Sequence, residues 1–222
     1  MPSFFSSPSR RADLLGLLFV ILSFLVAFWL YPRLPYHVPV HWNINGRVNG
    51  TMAKPWGVFF TPLVMLALWV VFLALPAISP KGFRMDNFRS VYDVVRLAVL
   101  GFLFLITSVT LLAGAGYPLP IPLIVSTLLG VFLIVLGNFL PKIRKNFFVG
   151  VRTPWTLAND EVWLKTHRLA GWVFVFGGLA IVVEGLAGGS EIAWLLPATL
   201  ILIVLVPILG SYVLYRRVAQ SP

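Results

Sequence analysis

Three histidines, a buried-looking carboxylate and one arginine-tryptophan run are the places where this chain of 222 residues could do chemistry. His37 and His41 stand four apart, which on a helix would suit a shared metal ion, but Pro39 between them removes that helix. His167 follows Asp160 and Glu161 closely enough to invite general acid-base work, yet no serine, cysteine or paired carboxylate is placed beside it by sequence. Arg152-Thr153-Pro154-Trp155-Thr156 offers something else: a guanidinium donor fork, an indole, and a proline that holds Thr153 extended. That combination describes an ordered corner suited to docking a partner better than it describes a reaction centre.

The elements that must carry these residues are set by the solvent. Hydrophobic residues make up 59% of the chain against 11% charged, which excludes an ordinary soluble domain and places the protein in a bilayer. Six apolar segments emerge, approximately 14–31, 57–78, 94–115, 121–140, 169–187 and 192–214. Each is near the roughly 20 residues that a helix needs to cross about 30 Å of hydrocarbon, and a spanning backbone must satisfy its own hydrogen bonds. The expected fold class is all-α, a polytopic membrane protein with six transmembrane helices. Arg10 and Arg11 precede the first segment as they would in an export signal, but no small-residue cleavage pattern follows, so a retained helix is expected. With no cysteine, disulfides and thiolate metal sites are excluded.

Placing both termini in the cytoplasm puts fourteen of the seventeen basic residues in inner segments and leaves only Arg33, Arg47 and Lys54 outside. That asymmetry follows the positive-inside rule. It also accounts for the +10 charge as a membrane-orienting feature rather than a nucleic-acid footprint, because the charges sit in short loops at helix ends.

The outer loop between the first two spans, 34–56, carries Pro35, Pro39 and Pro55 and two turn signals, Asn45-Gly46 and Asn49-Gly50. A short strand over Val38–Trp42 and a small extracytoplasmic lobe are expected. Tyr36, Trp42 and Trp56 suit headgroup depth; His41, Trp42 and Asn43 equally suit a recognition surface that stacks and hydrogen-bonds. Inside, Asn159 or Asp160 can cap a helix running through Glu161, Trp163, Lys165 and His167 into the fifth span. Its i,i+4 spacing offers a Glu161–Lys165 ion pair and a Trp163–His167 stacked face, as on a helix lying at the membrane surface. Arg89 and Asp93 have the same spacing before the third span.

Within the spans, Glu184 is the one acidic residue well inside an apolar segment, close enough to its outer end to snorkel. Gly171, Gly178 and Gly185 recur every seven residues in the fifth span and Gly130 and Gly137 in the fourth, so these two helices are expected to meet along small-residue stripes. Pro62, Pro76, Pro197 and Pro207 predict kinks in the second and sixth spans.

Two residue patterns carry a family resemblance. The outer pattern is Pro39, His41, Trp42, Asn43 and Gly46, followed by Lys54; the inner is Asn146, Gly150, Arg152, Thr153, Pro154, Trp155, Thr156 and Leu157, followed by Trp163 and His167. In this order they resemble the SdpI family of bacterial membrane proteins, whose first region is similar to a domain of unknown function that also occurs alone. The resemblance implies six helices in a bacterial plasma membrane, no known catalysis, and immunity to a secreted peptide toxin. For the member that names the family it also implies capture of a cytoplasmic repressor. On this reading 1–80 forms an N-terminal region with the first two spans and 81–222 an SdpI-like region with the other four, in one integral membrane unit. The first set of motif residues would be an outer recognition loop and the second a cytoplasmic docking loop, with the lipid bilayer as the remaining partner and no catalytic, cofactor or metal residues. A small transporter lined by Glu184 and Asn138 is the rival function, and an intramembrane enzyme using His167 with Glu161 or Asp160 ranks behind it.

Overall fold

A computed structural model describes residues 8–43, 45–80, 85–187 and 194–219. Six of its helices are long and apolar enough to cross a membrane. Helix α1 covers Pro8–Leu30, α2 Lys54–Ala74, α3 Arg89–Gly114 and α4 Ile121–Phe139. A short α5, Pro154–Ala158, precedes α6, Asp160–Ala187, and α7, Leu195–Ala219. Strands β1, His37–Trp42, and β2, Val48–Ala53, form an antiparallel hairpin between α1 and α2. The expected start of the sixth span, Ile192, lies outside the described residues, as do the basic residues Lys81 and Arg84.

Local sequence explains where the helices begin and end. Asn159 caps α6, its Oδ1 accepting the N–H groups of Glu161 (2.8 Å) and Val162 (3.1 Å). The helix then runs without a break into the bundle; at 28 residues it is about 42 Å long, so its first turns stand clear of the apolar span. The four expected proline kinks reduce to two helix-interior prolines, Pro62 and Pro207. Pro76 falls beyond the end of α2, and Pro197 sits in the first turn of α7, where a missing N–H has no partner to lose.

Large apolar side chains cover the outside of the bundle, Phe28 and Phe176 among the most exposed, as expected of a surface solvated by lipid. Inside, α3 packs against α1 and α2, with Val20, Met65 and Leu100 at the centre. Helix α6 packs between α4 and α7, around Leu133, Ile181 and Ile203. The two groups meet where Phe102 of α3 stacks on Phe132 of α4, centroids 4.5 Å apart.

Lipid supplies no hydrophobic drive between helices, so close approach decides their packing. The glycine stripes provide it. A Cβ on Gly178 would lie 2.5 Å from the Gly130 carbonyl oxygen, one on Gly171 2.8 Å from that of Gly137, and one on Gly185 2.8 Å from Ser126 Cβ. Helices α4 and α6 therefore touch backbone to backbone along their length.

Arg96 has a different role from the orientation charge that its position suggests. Its side chain is 2% exposed and bridges α1 to α3, 2.5 Å from Asp13 and 2.7 Å from Asp93, while also donating to the Ser9 carbonyl (3.1 Å). Arg89 lies 3.9 Å from Asp93, so the expected i,i+4 pair is the outer part of this network.

Candidate functional site

The bundle has two polar ends. At one, the hairpin sits over the C-termini of α1, α3 and α6 and the N-termini of α2, α4 and α7. At the other, the α4–α6 connection forms a corner beside the start of α3 and the end of α7.

The hairpin is anchored by Val38, which is fully buried among Ala27, Leu30, Leu34, Val58 and Leu111. Its close fit on α2 depends on Gly57, where a Cβ would lie 2.9 Å from Val38 Cβ. Asn43 builds the turn: its Oδ1 accepts the N–H groups of Asn45 and Arg47, both at 3.0 Å. Gly46 takes φ +72° and rests on Pro122 of α4. His41 donates from Nδ1 to Asn49 Oδ1 at 2.5 Å across the ladder. Lys54 opens α2 with its ammonium over the Tyr31 ring, 4.5 Å from the centroid. Among the described residues no three His, Cys, Asp or Glu side chains come together.

Beneath the turn is a cavity of about 660 Å³. The hairpin contributes Val40, His41, Trp42, Asn43 and Asn45, and the ends of α3, α4, α6 and α7 form the walls. Glu184 lies on that wall, half-buried, one turn before the end of α6. Asn138 does not share it: that residue faces outward and donates to its own helix at Ile134 O (2.8 Å).

The corner is built differently, because its polar side chains are occupied by its own backbone. Asn146 is fully buried; its amide donates to the carbonyls of Arg144 (3.0 Å) and Val149 (2.9 Å), and its Oδ1 accepts from the N–H groups of Phe148 (2.8 Å) and Val149 (2.7 Å). His167 donates from Nδ1 to Trp163 O (2.8 Å) and accepts the Val151 N–H at Nε2 (3.0 Å). Both ring nitrogens are engaged, so neither is free to shuttle a proton. Trp163 stacks on that ring at 4.1 Å and donates to Ile143 O (2.8 Å).

Gly150 closes the loop over His167. Its φ is +110°, and a Cβ there would lie 2.3 Å from Nε2. Thr153 and Thr156 form a capping box for α5, and Thr153 Oγ1 reaches Ser211 Oγ of α7 at 3.0 Å. Arg152 turns back to the Phe147 carbonyl.

Of the corner's motif residues, Asn146, Thr153, Thr156, Trp163 and His167 are buried. Gly150, Arg152 and Pro154 are exposed, and Trp155, half-buried, leans on Tyr212 with centroids 5.0 Å apart. Only the Glu161–Lys165 half of the expected amphipathic surface is on the surface, paired at 2.6 Å; Trp163 and His167 point into the core. A polar sequence had made them look exposed, whereas backbone hydrogen bonds let them be buried.

Residues 142–211 match the SdpI/YfhL protein family and residues 18–66 a domain of unknown function, DUF1648. The chain is 30% identical over 211 residues, 95% of its own length and 99% of the relative's, to the immunity protein SdpI of Bacillus subtilis (strain 168).

The chain belongs to the SdpI family. No solved structure matches it. The SdpI/YfhL match spans the corner, α6 and most of α7, and the DUF1648 match spans most of α1, the hairpin and the first half of α2. The Asp13–Arg96–Asp93 clamp and the α3 wall of the cavity fall outside both. Of these, the i,i+3 spacing of Asp93 and Arg96 is visible in the sequence of this SdpI-family chain; the partnership with Asp13, 83 residues away, is not.

Proposed function

We propose that this SdpI-family membrane protein confers immunity to a secreted peptide toxin, with the hairpin end facing outward and the corner facing the cytoplasm. The observation that carries the reading is near end-to-end similarity to an immunity protein, through both the hairpin and the corner. The charge asymmetry supports the orientation, since only Arg33, Arg47 and Lys54 belong to the hairpin end.

In this reading His41, Trp42 and Asn43 meet the toxin. Arg152, Trp155 and the exposed Phe147 form a docking surface for a cytoplasmic repressor, held in shape by the buried Asn146, Trp163 and His167. Communication between the ends runs through a shift in helix packing that both ligands bias.

The chain lacks cysteine, so single-cysteine variants report orientation cleanly. In intact cells a membrane-impermeant maleimide is expected to label Asn45→Cys and to spare Arg144→Cys; the reverse pattern overturns the orientation. Deleting the gene is expected to sensitise cells to the cognate toxin, and equal sensitivity of deletion and parent strains across a toxin panel overturns immunity. Arg152→Gln is expected to lose repressor capture at the membrane while protection persists.

A further inference from the structure

The cavity under the hairpin has the size of a small-molecule site, about 660 Å³, where such sites run roughly 300–1,000 Å³. Its lining is mostly apolar, with Ile106 of α3 on one wall. Polar groups are few, and among the described lining residues Glu184 is the only one that carries a carboxylate, while none is Lys or Arg. The backbone amide of Leu196 faces that carboxylate, but Oε2 is buried with no hydrogen-bond partner among the described residues. Two of the basic residues at this end are engaged elsewhere: Arg33 lies over the Trp29 ring and donates to the Tyr117 hydroxyl, and Lys54 lies over Tyr31.

A carboxylate oxygen held out of water without a hydrogen-bond partner is costly, and buried charge is normally paired. Here the space beside it is open. The cavity's lining residues belong to the hairpin and to the helix ends beside it, so it is a pocket at one end of the bundle. Above, Trp42 contributes an aromatic surface of the kind that attracts cations.

We propose that this pocket binds a primary ammonium carried on a short apolar chain, with the ammonium on Glu184, Trp42 beside it and the chain along the apolar wall. The site accepts either the amino end of an apolar peptide or the ethanolamine headgroup of a phospholipid, which share that chemistry. It goes beyond the immunity reading and does not need it, because binding is read on purified protein and immunity on cells.

The test uses full-length protein carrying 5-fluorotryptophan, in phosphatidylcholine nanodiscs, with the Trp42 fluorine resonance assigned by its loss in Trp42→Phe. Hexylamine is expected to shift that resonance saturably and at least tenfold more tightly than hexanol or hexanoate. Glu184→Gln is expected to bring hexylamine down to the hexanol level, and Glu184→Asp to keep part of the preference. An apolar tripeptide amide with a free amino end should reproduce the shift and its acetylated form should not. If exchanging phosphatidylcholine for phosphatidylethanolamine produces the shift without added amine, dependent on Glu184, the lipid headgroup is the source of the ammonium. Equal responses to hexylamine and hexanol, or a hexylamine response unchanged in Glu184→Gln, overturn the proposal; an unchanged pattern of the other tryptophan resonances shows that the variants are folded.

Discussion

The corner and the hairpin end each carry a motif of polar and aromatic residues, but they use them in opposite ways. At the corner, Asn146, His167, Thr156 and Trp163 all bond to nearby backbone groups and are buried. At the hairpin end, Asn43 shapes the turn in the same manner, yet Trp42 and Glu184 line open space and Glu184 Oε2 has no partner among the described residues. A motif made of polar residues therefore need not be a binding surface: one end uses its motif to hold a loop, and the other keeps groups free to meet something else.

Substitutions at the corner end should then cost stability, while those around the cavity should cost binding. The largest effect is expected where charge is buried. Arg96→Ala leaves Asp13 and Asp93 with the outer Arg89 but without the cation that joins them, and should lower unfolding free energy by about 3 kcal/mol, measured by SDS titration in mixed micelles. Replacing Asp13, Asp93 and Arg96 together with apolar residues of similar volume should recover most of that loss.

Next come Gly150 and Gly46, two of the three positive-φ glycines among the described residues, where the same change contrasts the two ends. Gly150→Ala drives a methyl into the His167 ring and should cost on the order of 2–3 kcal/mol. Gly46→Ala meets the Pro122 ring at 3.3 Å, a tight contact that a shift of a few tenths of an ångström relieves, and should cost about 1 kcal/mol. Equal losses in the same titration would remove the distinction between a closed end and an open one.

Asn146→Ala strips four backbone groups of their partner and is expected to cost about 2 kcal/mol. The smallest effect is expected from Glu184→Gln, which should leave stability within roughly 0.5 kcal/mol, because the carboxylate has little to lose in the unliganded protein. A loss as large as that of Asn146→Ala would make Glu184 a structural residue.

Much of the fold is legible in the chain because membrane solvent imposes strong local rules. Apolar runs mark the spans, prolines and Asn45-Gly46 mark the hairpin, and glycines every seven residues mark the α4–α6 contact; Asn49-Gly50, expected as a second turn, instead lies within β2, with Gly50 paired with His41. The i,i+4 pairs Glu161–Lys165 and Trp163–His167 also form as their spacing requires. What the sequence hides is the product of distant closure. Asp13 joins Arg96 across two helices, Glu184 meets the hairpin only because α6 ends beside the start of α4, and His167 is buried because a loop seventeen residues upstream folds back over it. Periodicity reports which face of one helix is apolar; it does not report which loop will cover the other.

The division of labour between the ends is tested most directly by toxin survival of cells carrying Trp42→Ala, at membrane levels matched to the parent protein. The account predicts loss of protection with an unfolding curve like that of the unaltered protein. Full protection by Trp42→Ala at matched levels would contradict it.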